Sequence, residues 1–240
     1  MTQILYGRQV ARQVLKENRG VKKLYLQSAM PELEALARNA GVPVVYTDRK
    51  KLNRIAESEH HQGVAVEIEP YQTVSLQELI DHKNGKYGLL ILLDEIEDPH
   101  NLGAVLRTAD AVKADGVIFK KTHSAGLTPT VAKVSAGAID TVKCAAVTNL
   151  TAALKELKKQ GYWAVGADMD GVDYRSLEYD FHTVLIIGNE GKGISRLVRE
   201  NCDYVVSLPM RGTISSLNAS VSAGILMYGI DAKRHPLLSR

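Results

Sequence analysis

The run Tyr87–Asp94 (YGLLILLD) constrains the fold more than any other part of the chain. It lacks polar alternation, so a strand made from it needs cover on both faces, as inside a parallel sheet. Further strands are expected at Gly116–Lys121, Thr141–Val147, Tyr162–Ala167, Thr183–Gly188 and Tyr204–Leu208. Helices fall between them, the clearest at Leu150–Lys159 and Asn218–Lys233. Regular strand and helix alternation of this kind gives an α/β fold, an open parallel sheet with helices on both faces.

The longest aliphatic run, Leu89–Leu93, is far short of the ~20 residues that cross a bilayer. Gly7, Arg8 and Arg12 interrupt any apolar leader. Cys144 and Cys202 stand far apart, with no C-x-x-C pair for a zinc ribbon or a disulfide framework. A cytoplasmic protein is the expectation.

The first seventy residues read as a smaller αβαβαβ unit. Val10, Val14 and Leu15 space an apolar helical face after Gly7, and Lys22–Gln27 is a short strand. Pro31 opens a helix that Gly41 stops. Val42–Thr47 is a strand, Asp48 caps a basic helix to about Glu57, and Gly63–Glu69 is a strand. The expected division is 1–72 as one domain, 73–86 as a linker and 87–240 as a second domain. Of 30 Lys and Arg, 11 lie in residues 1–72; of 27 Asp and Glu, 8 lie there. The rest of the chain is balanced, so the net charge of +3 belongs to the first domain. Such an excess fits a polyanionic partner, and equally a solvated basic surface.

In open parallel sheets ligands bind beyond the carboxyl ends of the strands. Three loops there are unusual: 95–103 ahead of a helix bearing Arg107, 189–193 with its glycines, and 209–218. Gly188, Gly191 and Gly193 permit sharp turns and close approach to a ligand. Their order is not the dinucleotide fingerprint, and Lys192 followed by Gly193 excludes a P-loop. Arg107 sits among Ala104, Ala109 and Ala111, where a phosphate or carboxylate can reach its guanidinium; a surface pair with Asp110 or Glu97 is the plainer role. Glu190 can hold Arg107, meet a substrate hydroxyl, or simply sit near a helix start. Asn218 is a plausible N-cap in its own right. His60 and His61 lack a Cys or carboxylate at ligand spacing, so a polar turn and no metal are expected. His100 can contact a substrate. No nucleophile elbow or paired catalytic acid is present, which disfavours hydrolysis.

Three ordered segments carry a resemblance: Asn101-Leu102-Gly103-Ala104-x-x-Arg107-Thr108-Ala109, Ile187-Gly188-Asn189-Glu190-Gly191-x-Gly193, and Leu208-Pro209-Met210 with Ser216-Leu217-Asn218-x-Ser220. Together they resemble the SpoU/TrmH family of RNA ribose 2′-O-methyltransferases across nearly all of 87–235. The segment from Tyr6-Gly7 to His61-Gln62-Gly63 resembles the small substrate-binding domain of its rRNA guanosine-methylating branch.

The resemblance implies an N-terminal RNA substrate-binding domain and a C-terminal catalytic domain tied in a deep trefoil knot, the SPOUT fold. Knotting is not something periodicity reveals, since chains almost never knot. It implies a homodimer with S-adenosylmethionine as cofactor. It matches Gly188, Leu208, Leu217, Ile187, Gly193, Met210 and Asn218 to cofactor-contacting positions. It matches Arg107, Asn101, Glu190, Ser216 and Asn218 to the polar active-site positions. Ala219 stands where many relatives have Val. The implied substrate is ribosomal RNA, with tRNA as the alternative and no membrane or metal partner. A guanidinium has a pKa above ~12, so Arg107 is expected to clamp a phosphate and stabilise an alkoxide, while a phosphate oxygen or water takes the proton. Two other classes stay open: a non-catalytic RNA-binding assembly factor, and a nucleotide-dependent oxidoreductase using the glycine loop.

Overall fold

The computed structural model describes residues 2–18, 20–83 and 85–236. Arg19, counted in the basic excess, and residues 237–240 of the expected second domain lie outside them. Two compact units divide after Tyr71.

The first unit runs β1 (Gln3–Tyr6), α1 (Arg8–Glu17), β2 (Val21–Leu26), α2 (Pro31–Asn39), β3 (Val44–Tyr46), α3 (Arg49–Ala56) and β4 (Val64–Ile68). The initial strand is absent from the expected αβαβαβ order. Four residues ahead of Gly7 are too few to show a period, and β1 forms because β4 offers it an antiparallel edge. The sheet order is β1-β4-β2-β3. Leu24, Leu26, Val64, Val66 and Ile68 meet α1 and α2 on one face. Ala65 meets Leu52 and Ala56 of α3 on the other. Local chemistry sets the helix ends: the Asp48 carboxylate accepts from Lys51 N–H at 2.9 Å, and Gly41 takes φ +68° just past α2. His61 is buried within the turn before β4. Its Nε2 lies 2.7 Å from Asn53 Oδ1, and its Nδ1 accepts from Gly63 N–H at 2.9 Å.

The second unit begins with α4 (Leu76–Asp81) and continues β5 (Leu89–Leu93), α5 (Pro99–Ala111), β6 (Gly116–Lys120), α6 (Pro129–Ser135), α7 (Ala138–Thr141), β7 (Cys144–Val147) and α8 (Leu150–Lys159). Then come β8 (Trp163–Asp173), a 3₁₀ turn at Tyr174–Ser176, β9 (Thr183–Ile187), α9 (Arg196–Arg199), β10 (Tyr204–Ser207) and α10 (Ala219–Arg234). Of the expected linker 73–86, Val74 and residues 76–81 of α4 pack as part of the second unit. Leu79 and Ile80 of α4 are buried in the second unit's core, and Val74 N–H donates to Cys144 C=O at 2.8 Å.

All pairings in the six-stranded sheet are parallel, in the order β10-β8-β9-β5-β6-β7. Every residue of β5 is buried, as the unbroken apolar run requires. Leu90, Leu92, Val184 and Ile186 pack with Leu154 and Leu157 of α8 and Val198 of α9. On the other face α10 packs against α5 and β9, and α5 against α6. Gly103 permits that last contact, since a Cβ there would stand 2.7 Å from Val134 Cβ.

Three boundaries differ from the expected ones. β8 extends to Asp173 because the chain bulges and re-pairs with β10 after Val205. Thr141 ends α7 instead of opening β7, with its hydroxyl 2.5 Å from Asp110. The helix bearing Arg107 starts at Pro99, with Asp98 accepting from His100 N–H, so Asn101 lies in its first turn and Arg107 two turns further on. An acid before proline is a cap and first position that the loop reading of 95–103 passed over.

Candidate active site

Between β5 and β9 the chain leaves adjacent parallel strands toward opposite faces, α5 to one and α9 to the other. That is the switch point where an α/β sheet opens a crevice. Three side chains meet there. Asn101, 8% exposed, donates from Nδ2 to Glu190 Oε1 at 2.8 Å. Asn218 donates from Nδ2 to the same oxygen at 2.5 Å and to Asn101 Oδ1 at 3.0 Å. Ala219 N–H adds a bond to Glu190 Oε1 at 3.2 Å.

The amide of Asn218 has only one workable orientation. Its Oδ1 caps α10, accepting from Ser220 N–H at 2.9 Å and Val221 N–H at 3.3 Å, so the Nδ2 faces Glu190. The capping role read from the sequence and the site role therefore belong to opposite ends of one side chain. Glu190 Oε2 takes no bond among the described residues and remains open to a substrate group.

The glycine loop is pinched shut. Asn189 and Gly193 exchange both backbone bonds, N–H to C=O, at 3.0 and 2.8 Å. A Cβ on Gly188 would collide with Gly193 C and O and with Ile194 N, so no other residue fits. Asn189 Oδ1 accepts from Gly191 N–H at 2.9 Å, and its Nδ2 donates to Glu95 C=O at 3.0 Å. Buried Asp94 accepts from Ser195 N–H at 2.7 Å through Oδ2. The loops after β5 and β9 are thus laced together at two points. Asp94 and Asn189 carry no individual role in the sequence reading; the signal for Asp94 is an acid ending a fully apolar strand.

Arg107 is exposed and has no hydrogen bond or ion pair among the described residues. Glu190 does not hold it, having gone to two asparagines, and Asp110 has gone to Thr141. Ser216 is exposed and outside the Asn101–Glu190–Asn218 triangle. Ile187 is buried, while Gly188, Leu208, Met210 and Leu217 are partly exposed. Residues 209–217 form neither helix nor strand and make no backbone–backbone hydrogen bond among the described residues. Apolar side chains beside free peptide groups suit a flat heterocycle with polar edges, such as adenine. No cluster of three or more potential metal ligands occurs among the described residues, and no helix there is long and apolar enough to cross a membrane.

A parallel sheet with a polar triangle in its switch crevice and a glycine-pinched loop beside it defines a ligand-handling α/β enzyme domain. Residues 88–228 match the SpoU rRNA Methylase family, and residues 4–74 match the RNA 2′-O ribose methyltransferase substrate-binding family. The chain belongs to the SpoU methylase family. It is 42% identical over 240 residues, 96% of each chain, to YacO of Bacillus subtilis (strain 168), named for the TrmH family of tRNA/rRNA methyltransferases. A Staphylococcus haemolyticus (strain JCSC1435) protein of the same family name is 40% identical, over 97% of this chain and 96% of that one. The fold resembles the SpoU methyltransferase AviRb of Streptomyces viridochromogenes, solved in complex with AdoMet. That likeness has a TM-score of 0.66 at 24% identity, covering 97% of this chain and 90% of that one.

Proposed function

We propose that this protein transfers a methyl group from S-adenosylmethionine to the ribose 2′-hydroxyl of a guanosine in large-subunit (23S) ribosomal RNA. The observation that carries the reading is the Asn101–Glu190–Asn218 triangle in the crevice between β5 and β9, with one carboxylate oxygen open. Leu208, Met210 and Leu217, with the free peptide groups around them, would hold the adenosyl part, while Ile187, Gly188 and Gly193 shape the wall beside it.

When bound, the cofactor supplies a methyl made electrophilic by its sulfonium. The chain's residues then act on the acceptor. Arg107, exposed and uncommitted, would clamp the phosphate of the target nucleotide and stabilise the negative charge that develops on its ribose oxygen. The hydroxyl proton passes to a phosphate oxygen or water. Glu190 Oε2 and the two amides orient the ribose; fixing donor and acceptor in line can contribute ~7–11 kcal/mol. Ser216 enters this scheme on the family resemblance alone.

The deep trefoil knot, the cytoplasmic location and the homodimer belong to the same reading. For the knot, the support is that the chain after edge strand β10 returns past β8 and β9 to set Asn218 against Asn101. For the dimer, it is a stripe on α10: Val221, Ile225 and Tyr228, at i, i+4 and i+7, are 48%, 37% and 53% exposed. The unit that ends at Tyr71 serves as the RNA substrate-binding domain.

The test is transfer of labelled methyl from S-adenosylmethionine to purified rRNA and tRNA lacking the modification, followed by mapping of the methylated ribose. Label at one large-subunit rRNA guanosine is the expected result. Label in tRNA, which the relatives' names also cover, would keep the chemistry and move the substrate. Absence of label from both RNAs and from assembling particles would leave a non-catalytic RNA-binding factor.

A further inference from the structure

We infer that the RNA phosphate backbone is gripped by the outward face of α3, through Lys50 and Arg54 flanked by Lys51 and Lys23. This inference rests on the proposed function and adds the contact surface.

The placement follows from the helix period. Leu52 and Ala56 are buried on the sheet, and Lys50 lies two positions, roughly 200°, round the helix from Leu52. Arg54, four residues after Lys50, stands on the same outward face. Lys50, Lys51 and Arg54 are all exposed, and neither Lys50 nor Arg54 has an ion-pair partner among the described residues. Tyr25 joins the cluster under α3, and Lys23, two residues before it on the same sheet face, reaches over the Tyr25 ring at 5.8 Å. One side of the unit thus carries α3 and a further cation beside it.

The fold gives the first-turn charges of α3 no structural reward, whereas Arg54 lies in the last turn, where a cation is favoured, and Lys23 stands beside the Glu67 carboxylate. Anions favour a helix start and cations its end. α2 obeys that rule, with Glu32 and Glu34 in its first turn and Arg38 in its last. α3 has Arg49, Lys50 and Lys51 in its first turn and no acid there, leaving the Asp48 cap as the sole offset. The first-turn charge works against its own helix, and Lys50 and Arg54, both without an ion-pair partner among the described residues, are free to meet a group outside the chain. A polyanion with regularly spaced phosphates fits an exposed row of Lys and Arg, and fits it without base specificity.

The opposite face supplies the control. Lys16 on α1 and Arg38 on α2 are also exposed and carry the same charge, but across the sheet from α3. The experiment measures binding of full-length wild-type, K50A/R54A and K16A/R38A proteins to an unmodified 23S rRNA transcript over a KCl series. Methyl transfer and thermal melts are followed in parallel. Each lost phosphate contact lowers the slope of log Kobs against log salt by about 0.7–0.9. K50A/R54A is therefore expected to lose about 1.4–1.8 in slope at unchanged melting temperature, and K16A/R38A close to none. Equal losses in the two variants would show a general charge effect and overturn the assignment. An unchanged slope in K50A/R54A would also overturn it, while active wild-type enzyme would leave the methyltransferase reading standing. Wild-type protein that neither binds nor methylates RNA would remove both.

Discussion

Asn218 and Asn101, separated by 117 positions in the chain, meet amide to amide at 3.0 Å, and both donate to one oxygen of Glu190. Each vertex comes from a segment that follows a different strand, so the triangle exists only when the segments after β5, β9 and β10 have all arrived. Its members are set by backbone features: Asn101 by the first turn of α5, Asn218 by the cap of α10, Glu190 by the pinched glycine loop.

Glu190→Ala leaves the Asn101 amide, the Asn218 amide and Ala219 N–H without their acceptor. The exposed position lets water replace part of it, so the cost falls at the low end of about 1–3 kcal/mol. At roughly 2–4 °C per kcal/mol for a domain this size, the melting temperature is expected to drop by about 2–6 °C. Methyl transfer should be lost. Glu190→Gln keeps one acceptor oxygen and should recover most of the melting temperature without recovering turnover. Calorimetry beside a labelled-methyl assay separates the two effects.

Arg107→Lys should leave stability within about 0.5 kcal/mol, because the exposed side chain has no partner to lose. Turnover is expected to fall about tenfold or more, since an ammonium lacks the planar fork that grips a phosphate at two points. Cofactor binding should be unchanged. Near wild-type turnover with unchanged RNA binding would show that the fork geometry is irrelevant.

The contrast between Glu190 and Arg107 shows what the sequence discloses. Caps and stops are local, so Asp48, Gly41 and the N-cap role of Asn218 were readable from a few neighbours each. The apolar run at Leu89–Leu93 was readable because burial on both faces removes alternation. The partner of Glu190 was not, because nearness in the crevice depends on strand order, and strand order leaves no periodic trace. Residue-by-residue reading leaves Arg107, a substrate hydroxyl or a helix start open for Glu190; the folded chain supplies two asparagines 89 and 28 positions away. Resemblance placed Asn101, Glu190 and Asn218 in one site without showing that they touch. β1 is not legible because its pairing is lent by β4, and Leu79 and Ile80 read as part of a linker because so short a helix declares no partner.

Gly188→Ala should disable the cofactor site before it unfolds the domain. The added methyl meets Gly193 and Ile194 backbone, so the pinched loop has to open. Overpacking of this kind costs about 1–3 kcal/mol. Isothermal titration with S-adenosylmethionine is expected to show strongly weakened binding while circular dichroism retains the native spectrum. Binding at wild-type affinity would mean that the loop does not shape that site.

Both thiols should be inert in the native protein. Burial is the main cause that pushes Cys144 up to about 12 and Cys202 up to about 11, with Asp203 adding to the second. The thiolate is the reactive form, and a raised pKa keeps its fraction minute near neutrality. Iodoacetamide at pH 7.5, followed by mass spectrometry, should modify neither cysteine until urea unfolds the chain. Native labelling of Cys202 should rise only as the pH climbs toward 11. Prompt alkylation at neutral pH would contradict this.

Helix α10 is held at both ends. At its start Asn218 is bound to Glu190 and Asn101; at its end Arg234 donates to the carbonyls of Tyr87, Gly88, Tyr179 and Phe181 and to Thr183 Oγ1. Those acceptors lie beside the amino ends of β5 and β9, whose carboxyl ends carry the site. The helix is therefore a tie rod spanning the central strands from bottom to top, and folding itself arrests the Asn218 amide. The entropy of fixing that amide is lost when the domain forms, so a ligand arriving later does not have to order it again.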